Sequence, residues 1–152
     1  MPIRYRIDHA RRLVAAAGFG TITDEDVFGY QTSVWSRGDV AGYEELIDFT
    51  AVEHIVPPPV ERVQELATLS ASMESSHSSS RMAIVAPSDV AYGLGRMFQA
   101  FRSLADDDTR KVDVFRTREE ARAFLELDEF PMIADESEAS ASSSAPERGG
   151  AE

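Results

Sequence analysis

The stretch that most constrains the fold is residues 46–59, LIDFTAVEHIVPPP. Its apolar start indicates a buried strand, Asp48 and Thr50 indicate a polar turn at the carboxyl end of that strand, and the three prolines favour the first turn of a following helix. In open α/β folds, ligands and partners usually meet the protein at such turns. The prolines lack the backbone N–H groups with which a helix N-terminus binds an anion, which excludes an anion site of that kind.

The other hydrophobic patterns extend this unit into an alternating α/β chain. Residues 3–8 alternate between apolar and charged side chains, which indicates a half-buried strand, and residues 13–17 indicate a second strand within reach of a hairpin. Thr23 predicts a helix N-cap. Further along come a strand over 43–49, a helix from the prolines to Met73, a strand over 82–86, a helix capped by 87–89, a strand over 112–115 and a helix after the capping box at 117–120. The predicted order is ββαβαβαβα, an α/β fold with a mixed five-stranded sheet and about four helices.

The helix after residue 89 has the clearest amphipathic pattern. Its predicted core stripe consists of Val90, Leu94, Met97, Phe101 and Leu104. Two glycines interrupt this helix, although glycine is unfavourable there. Gly93 flanks the stripe, which favours close packing on a neighbour. Gly95 lies towards the outer side, where a partner backbone or a ligand can approach. For Gly95, both close packing and contact with a partner or ligand stay open.

Charge and composition exclude several classes of binding partner and indicate a cellular location. The net charge is −12, and residues 128–152 hold half of it, with seven acids against one base. This acidity argues against nucleic acid or an anionic membrane surface as a partner. We expect one domain over 1–130, an acidic disordered tail over 131–152 and a cytoplasmic location, because no apolar run suits a membrane span or a signal peptide. With no cysteine and three scattered histidines, no metal site or cofactor is expected.

Three segments in order resemble the STAS superfamily of bacterial anti-sigma factor antagonists, and more closely the small SEC14-like (SpoIIAA-like) STAS proteins. They are residues 46–50 before Ile55, residues 82–87 leading into 92–98, and residues 114–121. The resemblance covers residues 3–127 and implies the STAS fold.

In the antagonists, the turn after the position of Asp48 carries an acid and two small hydroxyl residues, and phosphorylation of one serine breaks partner binding. The corresponding residues here are Val56, Pro57 and Pro58. Since these side chains have no hydroxyl, the resemblance implies that a phosphoserine switch of that type cannot operate at this position.

The candidate functional residues fall into three groups. Asp48 and Thr50 either bind a polar ligand or cap the amides of their own turn, and we favour the second interpretation because no general base is paired with them. Tyr92, Arg96 and Phe98 predict an exposed aromatic–cationic patch of the kind enriched at interfaces. Alternatively, the excess aromatic side chains line an apolar pocket between helices, formed by Trp35, Met97, Phe98 and Phe101.

These observations favour a non-enzymatic STAS-like interaction or regulatory module, a dimer or a partner of another protein. The alternative is a carrier or sensor of a small apolar, lipid-like ligand. An enzyme is the least supported hypothesis, because no nucleophile can be matched with an acid and a base.

Removal of residues 131–152 should leave the thermal unfolding midpoint unchanged within measurement error, because this segment has little apolar surface to bury. Calorimetry of the full and shortened chains measures this. A drop of several degrees would show that the tail is docked on the domain.

Overall fold

A central sheet of five strands organises the chain, as a computed structural model shows for residues 2–73, 80–105 and 111–134. Most of the predicted tail, residues 135–152, lies outside the described residues. The strands are β1 (Ile3–Asp8), β2 (Leu13–Gly18), β3 (Gly20–Ile22), β4 (Glu44–Asp48), β5 (Val52–Ile55), β6 (Arg81–Val85) and β7 (Lys111–Phe115). The helices are α1 (Asp24–Trp35), α2 (Val60–Ser72), α3 (Asp89–Ala105) and α4 (Arg118–Leu125), with a 3-10 turn at Gly38–Val40.

The main sheet has the order β1-β2-β4-β6-β7. β1 and β2 form an antiparallel hairpin, and all other neighbours in this sheet are parallel. The predicted mixed five-stranded sheet with four helices is therefore confirmed. The central strands β2, β4 and β6 are buried almost throughout, as expected for strands that are covered on both faces.

The two faces of the sheet carry unequal layers. α1, α2 and α3 cover one face, where Ile47 and Ile84 belong to the larger core cluster. α4 covers the other face, where Leu46 and Val85 pack with Leu125. Side chains alternate between the faces along each strand. Asp48 therefore lies on the same face of the sheet as Leu46, so its side chain is directed towards α4.

A second, two-stranded sheet pairs β3 with β5 in parallel. The chain bends between β2 and β3 at Gly20, whose φ of 69° suits a residue without a Cβ. The sequence pattern predicted a helix from the prolines onward and no element over 51–56, so β5 was missed, because a four-residue strand with only two half-buried positions leaves a weak pattern. α2 also begins later than predicted, at Val60, with Pro59 as its N-cap.

The predicted core stripe of α3 is wrong at its ends, because Val90 and Leu104 are 51% and 82% exposed. The most buried positions of α3 are Ala91, Gly95, Phe98 and Arg102. A Cβ built on Gly95 would lie 3.0 Å from a Val114 methyl of β7, so the helix approaches the strands closely along small residues. The larger apolar residues of the stripe flank this line and are only half-buried.

The close packing expected of Gly93 is wrong, and Gly95, for which packing and contact with a partner or ligand were both open, is packed closely on the sheet. Gly93 is exposed, and a Cβ at this position would meet nothing within 4 Å, whereas Gly95 is the close contact. Gly93→Ala should raise the free energy of unfolding by about 0.5–1 kcal/mol through helix propensity. Gly95→Ala should lower it by about 1 kcal/mol net, because overpacking against the sheet outweighs that gain. Urea unfolding of both variants measures the difference, and equal effects would contradict this packing.

Candidate functional site

The Asp48 carboxylate holds the turn at the carboxyl end of β4. Its Oδ1 accepts hydrogen bonds from the Thr50 amide at 3.0 Å and from the Thr50 hydroxyl at 2.5 Å. Asp48 is 5% exposed, whereas Thr50 is exposed. Short polar side chains commonly close turns in this way. The geometry is that of the favoured structural interpretation, since the turn already occupies this carboxylate oxygen.

The other oxygen of Asp48 binds α4. Arg118 donates from Nε to Asp48 Oδ2 at 2.8 Å, and its guanidinium carbon lies 5.6 Å from the centre of the Phe130 ring. This ion pair joins residues 70 positions apart and fixes the first turn of α4 against the end of β4. Both carboxylate oxygens of Asp48 therefore have partners within the protein.

A second polar cluster lies around Tyr92, at the same edge of the sheet. The Arg116 guanidinium stacks 4.2 Å from the centre of the Tyr92 ring, and Arg96 donates to the Tyr92 hydroxyl at 3.2 Å. Arg116 also donates to the Pro87 carbonyl at 3.0 Å and to Asp89 at 2.9 Å. We call Tyr92, Arg96 and Arg116 the edge surface.

One member of the predicted aromatic–cationic patch is not at the surface. Phe98 is 7% exposed and packs in the core, because it lies on the contact line of α3. Gly95, a separate candidate for partner or ligand contact, is buried against the sheet on the same line. Tyr92 and Arg96 remain at or near the surface, where Arg116, which was not predicted, joins them.

The predicted pocket wall is also wrong in three of its residues. Trp35 is buried, and its indole N–H contacts the Tyr30 hydroxyl and Glu45 Oε2, each at 3.2 Å. Met97 and Phe101 are half-buried on the flank of α3. None of these three lines the cavity between the sheet and helices α1, α2 and α3, to which α3 contributes Ala91, Leu94, Gly95 and Phe98.

That cavity has a volume of about 120 Å³ and lies between the sheet and helices α1, α2 and α3. Its wall is almost entirely apolar. Representative lining residues, one from each of several surrounding elements, are Ile22, Phe28, Ile47, Ile55, Val63 and Phe98.

An ion pair between α1 and α2 marks the side on which the cavity meets solvent. Arg62 donates to Asp24 at 2.7 Å, and its guanidinium carbon lies 4.0 Å from the centre of the Phe28 ring. All three residues line the cavity and are partly exposed. The hydrogen bond from Arg62 lowers the pKa of the Asp24 carboxyl below its usual range, so this pair is fully charged at neutral pH.

Within the part of the chain that the structure describes, no group of three or more His, Asp or Glu residues could hold a metal ion. No helix of the described residues is long and apolar enough to cross a membrane.

Arg116 and Arg118 were not predicted as members of this site. Both follow β7 directly, and β7 is parallel to β4 and β6 with β6 between them. The carboxyl ends of parallel strands lie at one edge of a sheet. The position of these arginines directly after a predicted strand was therefore a signal that they lie at the same edge as Asp48. The apolar cavity residues gave no comparable signal, since they resemble ordinary core positions.

Comparison with known proteins gives one line of support for this architecture. No protein-family model and no curated protein sequence matches the chain. A crystal structure of an uncharacterised protein of the DUF3478 family from Shewanella loihica PV-4, described as having a SpoIIAA-like fold, is similar to it. The TM-score is 0.51 with 18% identity, over 81% of this chain and 93% of that one.

The chain has a SpoIIAA-like fold. This confirms the STAS-like architecture that the resemblance implied, with its mixed sheet and four helices. At this level of identity the likeness concerns the fold alone.

The ion pair between Asp48 and Arg118 can be tested by a double-mutant cycle. Arg118→Met should cost about 2 kcal/mol, between the ~1 kcal/mol of exposed pairs and the ~3–5 kcal/mol of buried pairs, because Arg118 is partly exposed. Asp48→Asn should cost less, since its amide oxygen can still accept from Thr50. Chemical unfolding should give a coupling of about 1 kcal/mol in the double variant. Purely additive losses would contradict the pairing.

Proposed function

We propose that this chain is a non-enzymatic STAS-like module that binds another protein through its edge surface. The observation that carries the proposal is the Tyr92 ring, which contacts the guanidinium groups of both Arg116 and Arg96. Tyrosine and arginine are among the residues that most often dominate binding energy at interfaces. Here three such side chains converge at the edge where open α/β folds usually meet their ligands.

The edge surface is held in position before binding. Arg116 is fixed by stacking on Tyr92 and by its hydrogen bonds to Pro87 and Asp89. A side chain that is already ordered loses less conformational entropy when a partner binds, which favours affinity. The partly exposed Tyr92 ring supplies apolar area that a partner can bury.

The charges on this surface favour a partner with acidic groups. Two arginines cluster with the single acid Asp89 on a chain whose net charge is −12. Local positive charge of this kind guides an acidic partner surface to the edge. The partner is a second copy of the chain, which makes a dimer, or a different protein.

The burial of Asp48 supports binding over catalysis. Its carboxylate is 5% exposed and accepts hydrogen bonds from Thr50 and Arg118, so a substrate has little access to it. Regulation by the serine switch of the antagonists is not proposed either, because Val56, Pro57 and Pro58 stand at the corresponding positions.

Two matched substitutions test the proposal. Arg96→Glu reverses a charge in the edge surface, and Lys111→Glu makes the same change of charge at the amino end of β7, on the opposite edge of the sheet. Both side chains are exposed, so both variants should fold. Sedimentation velocity then measures self-association, and affinity capture from the native cells measures other partners. Arg96→Glu should weaken partner binding at least about tenfold, whereas Lys111→Glu should bind like the wild type.

A wild-type chain that is monomeric at all concentrations and captures the same proteins as Arg96→Glu would contradict the proposal. Equal losses in both variants would also contradict it, since the edge surface would then have no special role.

A further inference from the structure

The cavity between the sheet and the three helices is distinct from the edge surface. It has a volume of about 120 Å³, and its wall comes from β3, β4, β5, β6, α1, α2 and α3. Protein interiors are close-packed, and side chains that line a cavity lose contacts on that side. A molecule that fills the space restores those contacts and stabilises the fold.

The polar atoms near the wall are bonded to one another. The Tyr30 hydroxyl donates to Glu45 Oε2 at 2.8 Å, and the Trp35 indole N–H reaches the same oxygen at 3.2 Å. Glu45 is 2% exposed, so this cluster is sealed from water. A bound molecule therefore meets mainly carbon atoms, and a charged group would be desolvated without compensation.

The size of the cavity limits the molecule further. An apolar cavity of roughly 150 Å³ in an unrelated protein stays dry and binds benzene. A space of about 120 Å³ accommodates a molecule of the same class but not an extended acyl chain.

The solvent side of the cavity offers an apolar approach. Val56 is 44% exposed and lines the cavity together with Pro58, and Val60 nearby in sequence is 53% exposed. The ion pair between Asp24 and Arg62 lies at the same side. A ligand that leaves water here passes apolar side chains before it reaches the interior.

We propose that this cavity is a binding site for a compact, uncharged apolar molecule, of the size of benzene or indole. The site lies between α1, α2 and α3, and its recognition rests on shape and dispersion contacts. This inference does not depend on the edge surface, because the two regions share no residue.

Nuclear magnetic resonance of the full ¹⁵N-labelled chain tests the proposal. The probes are benzene and indole, with benzoate as the charged control. Saturable amide shifts around Ala91, Val63 and Ile22 are expected with at least one neutral probe, and benzoate should cause none there. No saturable shift at these residues with either neutral probe, up to its solubility limit, would overturn the proposal.

Cavity-filling variants give the matched control. Ala91→Leu adds carbon atoms inside the cavity, whereas Ala100→Leu adds the same atoms at an exposed position of the same helix. Ala91→Leu should weaken binding at least about tenfold, and Ala100→Leu should bind like the wild type. If Ala91→Leu does not fold by circular dichroism, Val63→Leu on α2 fills the space from the opposite wall. Equal affinity of the filled variant and Ala100→Leu would overturn the proposal, as would a co-purified long-chain lipid seen by native mass spectrometry.

Discussion

The buried carboxylate of Asp48 is the interaction on which the carboxyl edge of this fold depends. One oxygen closes the turn through Thr50, and the other holds α4 through Arg118. Because β4 lies at the centre of the sheet, this single side chain fixes the turn and the start of α4 relative to β4. Asp48 therefore has a structural role at this edge, and the Tyr92 ring with its arginines forms the surface that we propose binds a partner.

Under our proposal, the edge binds a partner without the serine of the antagonists. The segment between Asp48 and α2 is occupied by β5 and the three prolines, which give it a fixed shape. The proline-rich part of this loop provides no hydroxyl for phosphate control. Surface contacts at the edge and apolar contacts in the cavity are the two means of recognition that we propose, and they lie in different parts of the fold.

Much of the fold follows from the sequence because its signals are local. The alternation over residues 3–8, the Thr23 cap and the apolar run of β6 each report a period or a cap within a few residues. β3 and β5 were missed because strands of three and four residues carry little periodicity. The face of α3 was misjudged because the distance between helix and sheet decides whether Gly95 or a large residue makes the contact. That distance depends on the contact between Gly95 and Val114 of β7. No local sequence pattern indicates a contact between residues so far apart along the chain.

The candidate site was predictable to a smaller extent. Asp48 and Thr50 were identified from their place after a buried strand, and the hydrogen bond between them is a local property of a turn. Arg118 is 70 positions away, and the cavity depends on how three helices settle on the sheet, so neither could be derived from spacing. Amide hydrogen exchange at Thr50 tests the central claim most directly. The account predicts slow exchange of this surface amide that becomes fast in Asp48→Ala; exchange at the rate of a free peptide in the wild type would contradict it.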